Sequence, residues 1–561
     1  MTDAGAPVPT PPTDGGERLL EILGAGDDPA EQPHAEWRRR LHRFCENWIF
    51  ALIIAFGIRH FCLEMFRIPS ASMEPMLLGD PGLGKGDFVL VDKLTPRFRA
   101  PKRWDVTVFQ YPVPEIDSSM GQRARPAMSA NDERLDDPLW RPLQGSNFVK
   151  RLCLMPGEQF YIRSGDIFIG DGAGQWTIPR KPADLQEHLW MPVLRAGEQA
   201  GYRPWEANGS ATLDSSGPAS GLHMTLGDGG SVRLTQPLRN LYLKEGSVAI
   251  KDGLDPSGAY VRIDGVSMTR PQFTWPANGK SGSIWDLDRW ELKRLTSADQ
   301  DDPTRGTQIN ALMTEWVGDV NVSFHVDQLV GTPRLRLANT ALGAATPSRT
   351  LDLVLSAAGW RIEGGGAAAG IRVEGSASLV GHHVSYAHVD GQVVLRIDDQ
   401  EVARQDVAWV DPNALRPDVA WHGSGEIAVS QLTIGCDLHY SKKGFLTEPP
   451  NPDQVRQDLR TKSYNEEQAD TIYSAQIRLP RVIRAELRRK QPDELTAAEA
   501  AASYGTGPDN PATAPKDAYL MLGDNSPLSF DGREWGWVPA ENLRGKAWLV
   551  VFPPQRWKVI R

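Results

Sequence analysis

Cysteine is scarce in this chain of 561 residues: four, at Cys45, Cys62, Cys153 and Cys436. None forms a C-x-x-C pair, which argues against a zinc ribbon, a redox motif and a dense disulfide framework. Positive charge is not in excess either. Sixty-one Lys and Arg face 71 Asp and Glu, a formal net charge of −10. The whole chain is therefore no polyanion binder, and no nucleic-acid partner is expected. No internal repeat of fixed period is present. A near-match to a phosphate-binding loop, GDPGLGKG at 79–86, ends in Gly86 where a metal-holding hydroxyl would be needed. It also leads into a strand pattern rather than a helix, so nucleotide binding is not expected.

What is present points to β structure. Apolar residues are 40% and charged residues 24%, enough to bury a core. Fifty-three Gly, 43 Pro and 18 Trp imply many turns and packed aromatics. Residues 1–44 read as a largely disordered tail with a short apolar patch at Leu19, Leu20, Ile22 and Leu23. Arg38, Arg39, Arg40 and Arg43 form a basic cluster, and Trp48–Ile58 then runs eleven residues without a charge. Extended to Phe66 past Arg59, His60 and Glu64, the stretch is about 28 Å long as a helix, close to the hydrocarbon thickness of about 30 Å. The competing reading is a buried core helix. The basic flank favours a transmembrane helix over 45–67 with its N-terminus cytoplasmic and the remainder on the far side. It starts late and lacks a small-residue cleavage site, so it reads as an anchor, not a removable signal.

Alternation marks strands at GDFVLVDKL, RWDVTVFQYP, NFVKRLCLMPGEQFYI and GDIFIG. Over 205–440 many short strands separated by turn signals predict a β-sandwich, with a hairpin turn at Asp398-Asp399. Residues 441–516 read as helical segments with mixed-charge, solvated faces, followed by a linker at about 503–516. Residues 517–561 return to strand pattern.

Six positions past Phe66 lies Ser72, within about 21 Å even in an extended chain, so chemistry there would occur near the membrane. The alternative is an ordinary turn between Pro69 and Pro75. A nucleophilic serine needs a base. The histidines from His188 to His439 all fall in the middle region, His382 and His388 reading as solvated strand residues. A desolvated lysine is the other option. Lys150 qualifies, flanked by Phe148, Val149, Leu152 and Leu154 on a strand, although most strand lysines face water. Ser72-Met73-Glu74-Pro75 lacks the lysine of an S-x-x-K motif.

Four ordered blocks after the anchor resemble the bacterial type I signal peptidases, or leader peptidases, which are serine–lysine proteases. They are IPSASMEPML at 68–77, the strand pair at 86–94 and 103–112, FVKRLCLMPGE at 148–158, and LGDNSPLSFDGREWGWVP at 522–539. The resemblance implies a signal-peptidase-type β catalytic fold after one transmembrane helix, interrupted by a laminin-G/concanavalin-like β-sandwich. The peptidase would comprise 68–204 and 517–561, and the insert 205–440. By position, Ser72 matches the nucleophile and Lys150 the general base. Ser70 and the Ser72 backbone N–H match the oxyanion hole, and Ser529 matches the serine that orients the lysine. Asp531 and Arg533 match a structural ion pair, Gly523, Asp524 and Asn525 a turn shaping the wall, and Met73 a flank of the substrate pocket. No metal or cofactor is implied. The implied partners are signal peptides of exported preproteins, cut after small residues of the Ala-x-Ala type, and the lipid bilayer of the cytoplasmic membrane. The insert's partner is unspecified. Ala71, Met76, Ser526 and Pro527 depart from the common pattern without touching the serine–lysine pair. The remaining alternatives are a self-cleaving regulatory protease and a surface binding protein using the sandwich on an inactive scaffold. Cys153 and Cys436 could pair.

Overall fold

The structure is a computed structural model. It describes residues 32–74, 76–79, 86–111, 147–196, 205–214, 221–235, 238, 245–250, 261–267 and 316–560, with breaks at 342–343, 345, 449, 462–468, 470–472 and 527–528. The apolar patch at Leu19–Leu23, Pro75, Pro527 and most of the 79–86 loop lie outside the described residues.

The N-terminal unit carries a helix, Gln32–Gly57, that widens into a π-turn at Ile58–Cys62. Trp37–Cys62 is long and apolar enough to cross a membrane, and none of it is buried. The helix expected over 45–67 thus begins earlier and ends sooner. Leu63–Arg67 is a strand, its pattern turning Glu64 and Phe66 inward and Met65 and Arg67 outward. Alternation of this kind suits a sheet edge better than a helical continuation. Glu64 is paired with Lys93 at 3.1 Å.

The rest of the chain is mainly β. One eight-stranded sheet holds, in order, Leu63–Arg67, Phe88–Asp92, Leu543–Phe552, Val106–Gln110, Asn147–Leu154, Ala518–Leu522 and Val538–Pro539, with Lys558–Val559 paired to Leu543–Phe552. N- and C-terminal segments therefore alternate in one sheet, and the middle of the chain must loop out. It does so as a 13-stranded antiparallel assembly, the inserted β-sandwich. Its first strand is Met191–Arg195, with Met191 opposite Cys436, so the insert starts ahead of residue 205 and enters and leaves side by side.

The expectation of many short strands over 205–440 fails at two places. Val320–Ala341 and Leu415–Cys436 are each single strands of 22 residues, paired along their length. The turn-like Gly331-Thr332-Pro333 and Gly423-Ser424-Gly425 lie opposite one another instead of ending strands. Gly331, Gly423 and Gly425 have φ of 81°, 103° and 122°. A Cβ on Gly425 would lie 2.0 Å from the Val330 carbonyl oxygen. The glycines bend the ribbon without breaking its ladder. The Asp398-Asp399 turn is present, with φ of 47° and 64°, between Gln392–Ile397 and Gln400–Asp406.

Three further expectations are corrected. The linker at 503–516 is built in: Ala512–Thr513 pairs with Gln159–Phe160, and Gly505 accepts the Ile162 N–H at 2.8 Å. The helix Leu479–Leu487 does not present only solvated faces, because Ile483 and Arg484 are buried. Arg484 donates to carbonyls of Ala502 and Thr447, which it reaches because those segments end against its helix. His388 is buried, not solvated. It faces Asp319 at 3.2 Å, in a polar seam where Lys181 bonds Asp390 at 2.7 Å and Asp437 at 2.5 Å. Cys153 and Cys436 are both buried, and no disulfide joins them.

Substituting Gly425→Val should destabilise the protein by about 3 kcal/mol, from the left-handed φ and the carbonyl clash together. Chemical denaturation checks this, and a change near zero would mean the ribbon is not pinned at that bend.

Candidate active site

Ser72 lies in a short 3-10 turn, Ala71–Met73. Its carbonyl accepts the Asn525 N–H at 3.1 Å, which ties the turn to the loop following strand Ala518–Leu522. Lys150 is on strand Asn147–Leu154, opposite Thr107. Its side chain is 2% exposed, and its Nζ is in direct hydrogen-bond contact with Ser72 Oγ. The two residues that the sequence singles out are thus brought together across 78 positions. Burial disfavours the ammonium and pulls Lys150 down to about 7. The nearby carboxylates Asp531 and Asp524 oppose that shift, whereas Lys443 and Arg533 reinforce it. Ser70 is exposed, with its hydroxyl 3.2 Å from Ser72 Oγ.

Two fully buried ion pairs brace this region. Arg533 donates from Nε and Nη2 to Asp531 at 2.8 and 2.6 Å. Its remaining donors reach the carbonyls of Ser441 and Ser526 at 2.8 Å each and the Ser526 hydroxyl, so its donors are fully used. Asp531 also accepts the Gly523 N–H at 3.0 Å. Burial would raise the Asp531 carboxyl, but Arg533 and Lys443 hold it far below its usual range. On the other side, Asp524 takes Arg151 in a bidentate fork at 2.7 and 2.6 Å. Arg151 immediately follows Lys150, and strand alternation sends the two side chains to opposite faces.

Gly523 is where these segments meet. A Cβ there would stand 2.1 Å from Ser529 Oγ and 2.4 Å from the Ser72 carbonyl oxygen. No larger residue fits. Ser529 is fully buried, yet among the described residues its hydroxyl makes no hydrogen bond, to Lys150 or to any other group. The expected lysine-orienting contact is therefore not made in this structure. Met73 is 1% exposed and packs in the hydrophobic core. The expected flank of a substrate pocket is thus closed over in this state, its side chain taken up by core neighbours.

Sequence reasoning missed Arg151, Lys443 and Tyr440. Arg151 is 373 positions from its partner, and no local pattern links them. Lys443 donates to the Ser529 carbonyl and faces Glu534 at 3.8 Å. Tyr440 takes a hydrogen bond from Cys153 at 3.5 Å. Both belong to the stretch leaving the insert, where composition carries no signal of proximity to Ser72.

Comparison with known proteins bears on the same segments. The family model described as signal peptidase, peptidase S26, matches residues 41–186 and 460–552. A probable signal peptidase I of Mycobacterium leprae is 35% identical over 124 residues, 20% of this chain and 43% of that protein. A signal peptidase I of Aquifex aeolicus is 45% identical over 71 residues, 12% of this chain and 25% of that protein. The matched stretches span less than half the length of either relative. Solved structures with some likeness include mouse laminin alpha1 domains LG4-5, at 12% identity over 22% of this chain and 37% of that chain, with a TM-score of 0.17. Sheep galectin-11 is 8% identical over 21% of this chain and 89% of that chain, also at 0.17, and at such scores the likeness carries no argument. The family match breaks where the inserted sandwich lies and resumes after it, and over those two segments the chain is similar to signal peptidases of the S26 family.

Proposed function

We propose that this protein is a membrane-anchored endopeptidase that removes signal peptides from exported preproteins, using Ser72 as nucleophile and Lys150 as general base. The observation that carries the reading is the buried Lys150 amine against the Ser72 hydroxyl. An amine at about 7 is half neutral near physiological pH and can take a proton. In the neutral form the same contact runs with the Ser72 hydroxyl donating to Nζ.

Ser72 Oγ attacks the scissile carbonyl carbon and its proton passes to Lys150. The oxyanion is met by the Ser70 hydroxyl and the Ser72 backbone N–H. The C–N bond breaks, Lys150 protonates the leaving amine, and an ester on Ser72 remains. Water then attacks the ester, Lys150 takes the water's proton, and the proton returns to Ser72 as the new carboxyl-terminated peptide departs. Ser529 is assigned to aim the lysine amine, its idle hydroxyl being the support. Asp531 with Arg533, and the Gly523-Asp524-Asn525 turn, hold the wall in place.

The apolar helix Trp37–Cys62 and its basic flank support an anchor in the cytoplasmic membrane, N-terminus cytoplasmic, with the catalytic part outside. Small residues at the first and third positions before the cut are the expected recognition elements, as in the family it resembles. We divide the chain into a peptidase formed by two segments, one before the insert and one after, and an accessory domain of unassigned ligand.

Purified protein in detergent should cleave a preprotein bearing an Ala-x-Ala site, and Ser72→Ala or Lys150→Met should each lower kcat by at least about 1000-fold. Full cleavage by either variant would end this reading. Because only the neutral amine accepts a proton, the single-turnover acylation rate should rise with pH through about 7 and level off above it. A rate flat from pH 5 to 9 would contradict Lys150 as the base.

A further inference from the structure

The chain leaving the inserted sandwich does not pass directly back to the peptidase sheet. It is threaded through the wall of the site. Ser441 donates its N–H to Ser526 Oγ at 3.0 Å and its carbonyl accepts from Arg533 at 2.8 Å. Gly444, at φ of 60°, sits so close that a Cβ would lie 1.9 Å from the Arg533 carbonyl oxygen. Between them, Lys443 reaches inward. Its Nζ donates to the backbone carbonyl of Ser529, and the Glu534 carboxylate stands 3.8 Å away. Its side chain is about four-fifths buried, at 21% exposed. A second lysine is thereby held against the Ser529 backbone by the segment that follows the insert's last strand.

We propose that Lys443 is a positioning residue for the reaction: it fixes the Ser529 backbone and keeps a positive charge near Lys150 that favours the uncharged amine. The inference rests on Lys150 being the base. Lys150 is faced by Asp531 and Asp524, which favour its charged form, and by Arg533 and Lys443, which disfavour it. Lys443 is faced by Arg533, Asp531 and Glu534. Burial and the Arg533 charge pull Lys443 down to about 8, while Asp531 and Glu534 act to keep it charged. Like charges held in one low-dielectric region raise the cost of the second ammonium.

The decisive variant is Lys443→Gln, which retains an N–H donor for the Ser529 carbonyl but has no charge. Lys443→Arg retains the charge. Lys443→Gln should move the acid limb of kcat/KM to higher pH by about half a unit or more, and Lys443→Arg should leave it near the wild-type position. The same shift should appear in a 13C-lysine NMR titration of Lys150, whose resonance is assigned by its loss in Lys150→Met. An unmoved limb and an unmoved titration in Lys443→Gln would overturn the inference while leaving Lys150 as base. Equal shifts in the Gln and Arg variants would also overturn it, because charge would not be the cause. If the wild type fails to cleave, the proposed function fails, and the NMR titration still decides whether Lys443 acts on Lys150.

Discussion

An amine sealed from water must give up its charge or find a counter-ion, and among the described residues the carboxylates near Lys150 are already paired with arginines. Two carboxylates, Asp531 and Asp524, are close enough to pull the amine back towards the ammonium. Each is already committed to an arginine fork, Arg533 and Arg151 respectively. A carboxylate forked to guanidinium is nearly neutral as a unit at a distance, so its attraction for a third group is mostly spent. The buried pairs therefore do more than brace the fold. They make it possible for acidic side chains to lie beside an amine that the proposed reaction needs in its neutral form. A buried pair of this kind contributes little net stability against an apolar replacement, but losing one partner leaves an isolated charge and typically costs about 3–5 kcal/mol.

The strand ladders explain how the fold tolerates a large insert. The eight-stranded sheet is held by ladders between segments from both ends of the chain, for example Leu522 opposite Arg151 and Lys546 opposite Thr107. Those ladders depend on neighbours in space, not on what is connected between them. The insert begins and ends on one antiparallel pair, Met191 opposite Cys436, so its two connections are already together. Closing such a loop adds little entropy cost with length, since the penalty grows only with its logarithm. The polar seam of Lys181 with Asp390 and Asp437 then joins the segment before the insert to the insert itself.

Legibility followed the range of the interactions. Strands at 88–92, 106–110 and 147–154 could be read because alternation is a local property. Ser72 and Lys150 could be read because each sits in a compact block whose residue types resemble a known family. The bent ribbon could not, because Gly-Thr-Pro and Gly-Ser-Gly have the same local preference for a turn as for a bend. Only the opposite strand decides between them. His388 read as solvated because parity tells which face a residue occupies but not whether that face is covered. The linker at 503–516 misled in a similar way: its Gly and Ala content suits a free chain, yet Gly505 and Ala512 are small where they pack against Leu446 and Phe160. Arg151 with Asp524, and Lys443 with the Ser529 carbonyl, are contacts between distant segments and leave no trace in spacing.

The role proposed for Ser529 is that of a group held in reserve. A buried hydroxyl without a partner costs about 1–3 kcal/mol, so its idleness is unfavourable in the state described. The Gly523 contact distances make Ser529 Oγ and the Ser72 backbone near neighbours. In the proposed reaction Lys150 gains a third N–H when it takes the serine proton, and a buried ammonium needs acceptors. Ser72 Oγ, once acylated, is a poorer acceptor than the free hydroxyl. An adjacent hydroxyl with unused lone pairs is then worth more to the charged intermediate than to the resting enzyme, and an interaction made only there lowers the barrier without deepening the ground state. In the proposed reaction, the unsatisfied Ser529 would be the resting-state cost of an acceptor for the charged lysine, with the Lys443 contact to its carbonyl holding that acceptor.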